Sequence, residues 1–185
     1  MRLVLVHGYL APAALLWPLG RRLARDGHDF VLFDYPSRQR PFGAHAERLA
    51  DYLAGLSGPL GLIGHSMGGL LVHRAAELAP EVDVRAQIFL ATPHQGSALV
   101  RRLGRLPLVR QVATAIEPGA FGVAHAPGRG FAGAIGGARD AMVRPHEARL
   151  VYDAPFLTLP YGHNELVLRA ETANAIVRFL RTGVF

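Results

Sequence analysis

The sequence predicts an α/β fold: a doubly wound, mostly parallel sheet of about six strands with helices on both faces. Three observations lead there. Short, uninterrupted apolar runs recur along the chain, where alternation would mark a sheet with one solvated face. Amphipathic segments of helical period separate them, as parallel strands joined by right-handed crossovers require. The length of 185 residues suits one domain, residues 1–185, with a single core of ordinary size.

In chain order the strand candidates are Leu3–Val6, Phe30–Phe33, Leu60–Ile63, Ala86–Leu90, Phe131–Ile135 and Pro155–Leu159. Pro18 suits the first turn of a helix carrying Leu19 and Leu23, with Gly27 just past its end. Ala46, Leu49, Ala50, Leu53 and Leu56 keep helical spacing until Gly58-Pro59. Leu71, Val72, Ala75, Ala76 and Ala79 do the same before Pro80, and Ala173, Ile176, Val177 and Leu180 close the chain. Residues 96–129 are too many for a bare connection. Within them Leu99, Val100, Leu103, Leu106 and Val109 interleave with Arg101, Arg102, Arg105 and Arg110, which predicts a short helix rimming the site. A basic amphipathic piece over 99–110 could touch an anionic membrane surface, but a crossover helix with solvated arginines is the favoured reading. Pro118, Gly119, Gly122, Pro127 and Gly128 break up the remainder, so an open site without a lid domain is expected.

Composition removes several function classes. Half the residues are apolar and 18% charged, which excludes wholesale disorder. The absence of cysteine excludes disulfides, a thiolate nucleophile and cysteine-ligated metals. No apolar run approaches the roughly 18 residues of a membrane span. Leu3–Val6 is too short for a secretory core, so a cytoplasmic chain is expected. The net charge of +6 comes entirely from arginine, without a single lysine. Those arginines are scattered and lack interleaved stacking aromatics, so no nucleic-acid partner is expected.

The chemistry concentrates at Leu62-Ile63-Gly64-His65-Ser66-Met67-Gly68-Gly69, where a strand runs into Gly-x-Ser-x-Gly and an apolar helix follows. A nucleophile elbow needs this order, because the serine adopts a strained conformation at a sharp turn. Side chains two residues to either side are expected to collide with it, hence Gly64 and Gly68.

The chain resembles the α/β-hydrolases, in particular their compact bacterial lipase and esterase type. The likeness is carried by Leu5-Val6-His7-Gly8-Tyr9, by Trp17 through Asp34-Tyr35-Pro36, by Gly64–Gly69 and by Thr92-Pro93-His94-Gln95-Gly96-Ser97, which stand in that family's order. It implies a Ser–Asp–His triad acting on esters, with nucleophile, acid and base in that order along the chain. The order leaves two of nine histidines: His163, in the loop after the last strand, and His146, expected on a helix before it. His163 is the preferred base. Asp140, in a context similar to the family's Asp-x-x-Val loop, is the preferred acid; Asp153 is its rival and Glu117 an outside candidate. Asp34 is out of order and reads as a strand terminator. The backbone amides of Tyr9 and Met67 are the expected oxyanion donors, and His65, Thr92 and His94 the candidate substrate-binding residues.

His7 and His65 have no carboxylate or cysteine at metal-ligand spacing, so a packed or hydrogen-bonded role is expected for both, and neither a metal nor an organic cofactor is required. The expected partner is a small ester or lipid, and a monomer is expected. An amidase or thioesterase on the same triad, or an inert binding protein of the same fold, stays open beside the esterase reading.

Overall fold

The structure is a computed structural model of the chain and describes residues 1–104 and 130–185. Among these residues six strands form one sheet: β1 (Arg2–Val6), β2 (Asp29–Phe33), β3 (Leu60–His65), β4 (Val84–Leu90), β5 (Phe131–Gly137) and β6 (Phe156–Leu159). Their order is β2-β1-β3-β4-β5-β6, and every neighbouring pair is parallel. Each predicted strand lies within two residues of an observed one at both ends.

Strand periodicity sorts the core into two layers. Val4, Val6, Leu62, Phe89 and Ala134 face one cluster; Leu3, Leu5, Ile63, Ile88 and Ile135 face the other. The first is covered by α2 (Phe42–Ala54) and α3 (Met67–Leu78), which bury Ala46, Leu49 and Leu53, and Leu70, Leu71 and Ala75. The second is covered by α1 (Trp17–Ala24) and α5 (Ala170–Thr182) through Leu19, Leu23, Ala173, Ile176 and Phe179. Helices thus shield both faces, so continuous apolarity in β3, buried at every position, carries no solvation penalty. Each fully buried leucine contributes about 1.5–3 kcal/mol of transfer free energy.

The short helix after β4, α4, spans Ala98–Leu103 and is capped by Ser97, whose Oγ accepts from Val100 N at 3.2 Å. The rest of its expected apolar–basic pattern lies outside the described residues, from Arg105 to Arg110. So do Glu117 and the stretch on which the open-site expectation rests. Between β5 and β6 the expected helix is absent. Asp140 Oδ1 accepts from Met142 N and Val143 N at 2.8 and 2.9 Å, which bends the chain into turns. His146 is exposed on one of them. No helix among the described residues is long and apolar enough to cross a membrane.

Candidate active site

All six strands run the same way, so their carboxyl ends share one edge, and the loops leaving β1, β3, β5 and β6 meet there. They enclose a cavity of about 450 Å³ lined by Gly8, Tyr9, His65, Ser66, Met142, Val143 and His163, with Leu10, Ala11, Pro12, Leu15, Pro93 and Val100 as its apolar wall.

Ser66 joins β3 to α3 at φ 54° and ψ −125°, a conformation that L-residues rarely adopt. The flanking glycines permit it, though for a different reason from the expected one. A Cβ on Gly64 would overlap the backbone of Gly69, and one on Gly68 would overlap the carbonyls of Val6 and His7. The obstruction is the helix turn and β1, rather than the serine itself. The close fit between α3 and β1 thereby holds the elbow sharp.

His163, beyond β6, places Nδ1 2.7 Å from Asp140 Oδ2, with side chains 9% and 0% exposed. Its other nitrogen, Nε2, is the one left for proton exchange with a hydroxyl. Asp153 lies exposed in a bend before β6 and makes no hydrogen bond to His163. The fold therefore brings Ser66 and the Asp140-paired His163 to one cavity, which neither Asp153 nor His146 lines.

His65 lines the cavity beside the serine, and its Nε2 lies 3.1 Å from the carbonyl oxygen of His163. Burial, and next the His163 ring 4.8 Å away, pull its pKa down to about 3, so the ring is neutral at pH 7. A neutral ring donating from Nε2 tethers the loop that carries His163. Thr92 and His94 do not line the cavity. Thr92 is fully buried beneath α3, where a Cβ on Gly69 would overlap its Oγ1. His94 packs edge-on against Phe89, at 4.5 Å between ring centres, and burial lowers its pKa to about 3. The residues of this stretch and its helix that reach the cavity are Pro93 and Val100.

The loop after β1 comes close because Gly8 has no side chain: a Cβ there would lie 3.0 Å from Ser66 Cβ. Next to it Leu10 takes φ 59°, and its N–H donates to Ser37 Oγ at 3.1 Å. His7 stacks on Tyr35 at 4.3 Å with Nε2 3.1 Å from Asp34, and the Tyr35 hydroxyl donates to the His7 carbonyl at 2.9 Å. His7 thus buttresses the loop, the packed and hydrogen-bonded role expected of it, while Asp34, directly after β2, keeps an exposed side chain. Across the cavity Met67 opens α3, so its N–H has no partner within the helix and sits at the positive end of the dipole. Leu10, Ala11, Pro12 and Leu15 were not singled out by sequence; the apolar Leu10–Leu16 stretch was the available signal.

A family model described as "Alpha/beta hydrolase family" matches residues 3–181. No match was found among curated proteins. Among solved structures, a pyrethroid hydrolase from Sphingobium faniae JZ-2 superposes with a TM-score of 0.70 at 17% identity, covering 98% of both chains. RedJ, a thioesterase of the prodiginine pathway of Streptomyces coelicolor, gives 0.71 at 21% identity over 98% of this chain and 89% of that one. The type II thioesterase BorB from the borrelidin biosynthetic cluster gives 0.70 at 25% identity over 97% and 92%.

Proposed function

The chain belongs to the alpha/beta hydrolase family, and from that premise we propose that it is a serine hydrolase cleaving carboxylic esters through an acyl-enzyme. The observation that carries this reading is the buried His163–Asp140 pair, 2.7 Å apart, whose imidazole shares a cavity with the strained Ser66.

The steps follow from charge. His163 Nε2 takes the Ser66 proton as Oγ attacks the ester carbonyl carbon. Asp140 holds Nδ1 protonated and stabilises the imidazolium. The Met67 and Tyr9 amides receive the developing oxyanion, and removing one such donor typically costs about 10²–10³ in turnover. The imidazolium then protonates the leaving alkoxide. Water, deprotonated by His163, attacks the acyl-enzyme, and the imidazolium returns the proton to Ser66 Oγ as the acid departs. The apolar wall around Leu10, Leu15 and Val100 suits a short- to medium-chain acyl group.

The likeness to two thioesterases favours a second substrate class on the same groups, a thioester. Both readings need Ser66. Labelling with a fluorophosphonate probe tests them together: the wild type should be modified at Ser66, and Ser66→Ala should neither label nor hydrolyse. Labelling that persisted at Ser37, Ser57 or Ser97 would overturn the reading, and a wild type that neither labelled nor turned over would mark an inert binding protein.

A further inference from the structure

The stretch Thr92–Ser97 reaches the acid loop by a route that the proposed mechanism does not use. Ser97 is fully buried, and its Oγ donates to the carbonyl of Met142 at 2.6 Å. That carbonyl belongs to the peptide unit whose N–H, on Val143, donates to Asp140 Oδ1 at 2.9 Å. One hydroxyl therefore pulls on one end of an amide whose other end holds the carboxylate. Hydrogen bonds in series polarise one another, so the Val143 N–H is a stronger donor with Ser97 in place.

A second residue fastens the same two loops. Glu147 is buried at 4% exposure, yet it makes no ion pair among the described residues. Its Oε1 accepts from Ala98 N at 2.6 Å and its Oε2 from Arg144 N at 2.8 Å. Its backbone carbonyl accepts from Gln95 N at 3.0 Å. A buried carboxylate is costly unless such bonds satisfy it, and these join the residue after Ser97 to the residue after Val143.

Resting on the hydrolase reading above, we infer that Ser97 is a positioning residue for the catalytic acid, and that Glu147 holds it in register. Ser97 orients and polarises the Met142–Val143 amide. That amide fixes the rotation of the Asp140 carboxylate, and Asp140 Oδ2 in turn aims His163. Ser97 does not line the cavity, so its effect on the chemical step runs through Asp140.

The test compares Ser97→Ala with Gln95→Ala in the full chain. Gln95 lies in the same loop and its exposed side chain donates to Arg149 O at 3.3 Å, but it does not touch the Met142–Val143 amide. Ser97→Ala should lower kcat by about ten-fold with little change in KM, since the loss falls on the geometry of the acid rather than on binding. In proton NMR the strongly deshielded His163 Nδ1 proton should shift or broaden in Ser97→Ala and stay in place in Gln95→Ala. If Ser97→Ala does not fold, Ser97→Cys, nearly the same size but a poor donor, should show the same kcat loss and the same spectral change. Wild-type kcat and an unmoved proton signal in the folded Ser97 variant would overturn the inference. An active Ser66→Ala would instead overturn the hydrolase reading beneath it, so the two failures are distinct.

Discussion

Asp140 divides its two oxygens: Oδ2 meets His163 Nδ1 at 2.7 Å, while Oδ1 holds two backbone N–H groups. A carboxylate fixed at both oxygens cannot rotate away from the imidazole. Asp140→Asn keeps the shape but loses the charge and offers the ring a wrong tautomer. Turnover should fall by about 10³–10⁴. Asp153→Asn, at an exposed bend, should lower it less than about two-fold. Steady-state rates of both variants, with folding checked by circular dichroism, decide between the two acids, and the reverse ranking would move the acid to Asp153.

Acid should destabilise the fold through its buried imidazoles. His65 and His94 have pKa values near 3 in the folded chain against an ordinary value of 6.5, burial being the main cause in each. His45 and His28 are shifted down as well, again mainly by burial. Between pH 6.5 and 3 the unfolded chain binds more protons, so stability is complete above about 6.5 and drains away as pH falls towards 3. His94→Gln removes one of these groups. Its thermal midpoint should decline less than that of the wild type from pH 7 to pH 4.5, measured by circular dichroism.

Two glycine-to-alanine changes should have opposite signs. At Gly68 a methyl group would overlap the backbone of β1, which cannot move aside, and stability should fall by about 1–3 kcal/mol or more. At Gly43, in the first turn of α2, a methyl group meets nothing within 4 Å. Here the lower entropy of the unfolded chain should raise stability by about 0.4–1 kcal/mol. Urea denaturation of the two variants checks both.

Substrate range can be read from rate curves. A smooth saturation below the solubility limit of a short-chain ester agrees with a site that needs no interface. A jump when micelles or droplets appear would show interfacial activation. Matched esters and thioesters of the same acyl chain then rank the two substrate classes by kcat/KM, and the proposed ester hydrolase should favour the ester.

The sheet was legible because strands buried on both faces, such as Leu60–Ile63, have no polar positions to blur their limits. That Ser66, Asp140 and His163 lie at one edge of the sheet was legible because each follows a strand, and parallel strands deliver their following loops to one edge. What escaped was the work of loops. Glu147 carries no periodic signal, and its bond to Ala98 links positions 49 residues apart. Thr92 and His94 were expected at the rim, yet the first fills the space under Gly69 and the second packs on Phe89. A sequence shows that a loop follows a strand, but which of its side chains turn inward depends on neighbours far along the chain. The expected helix at His146 failed for a related reason: a carboxylate that captures two downstream amides competes with helix formation.

His163, the proposed base, hangs from an edge strand. β6 has four residues, pairs with β5 alone and is only half-buried, whereas the serine follows β3 near the middle of the sheet. Sheet margins open at lower free energy than their centres. Fraying of a single margin therefore separates His163, the proposed proton acceptor, from Ser66, the proposed nucleophile, while the two-layered interior stays intact. In mild denaturant, activity should vanish before the bulk of the helical signal does, which makes enzymatic rate a local gauge of how firmly that last strand is docked.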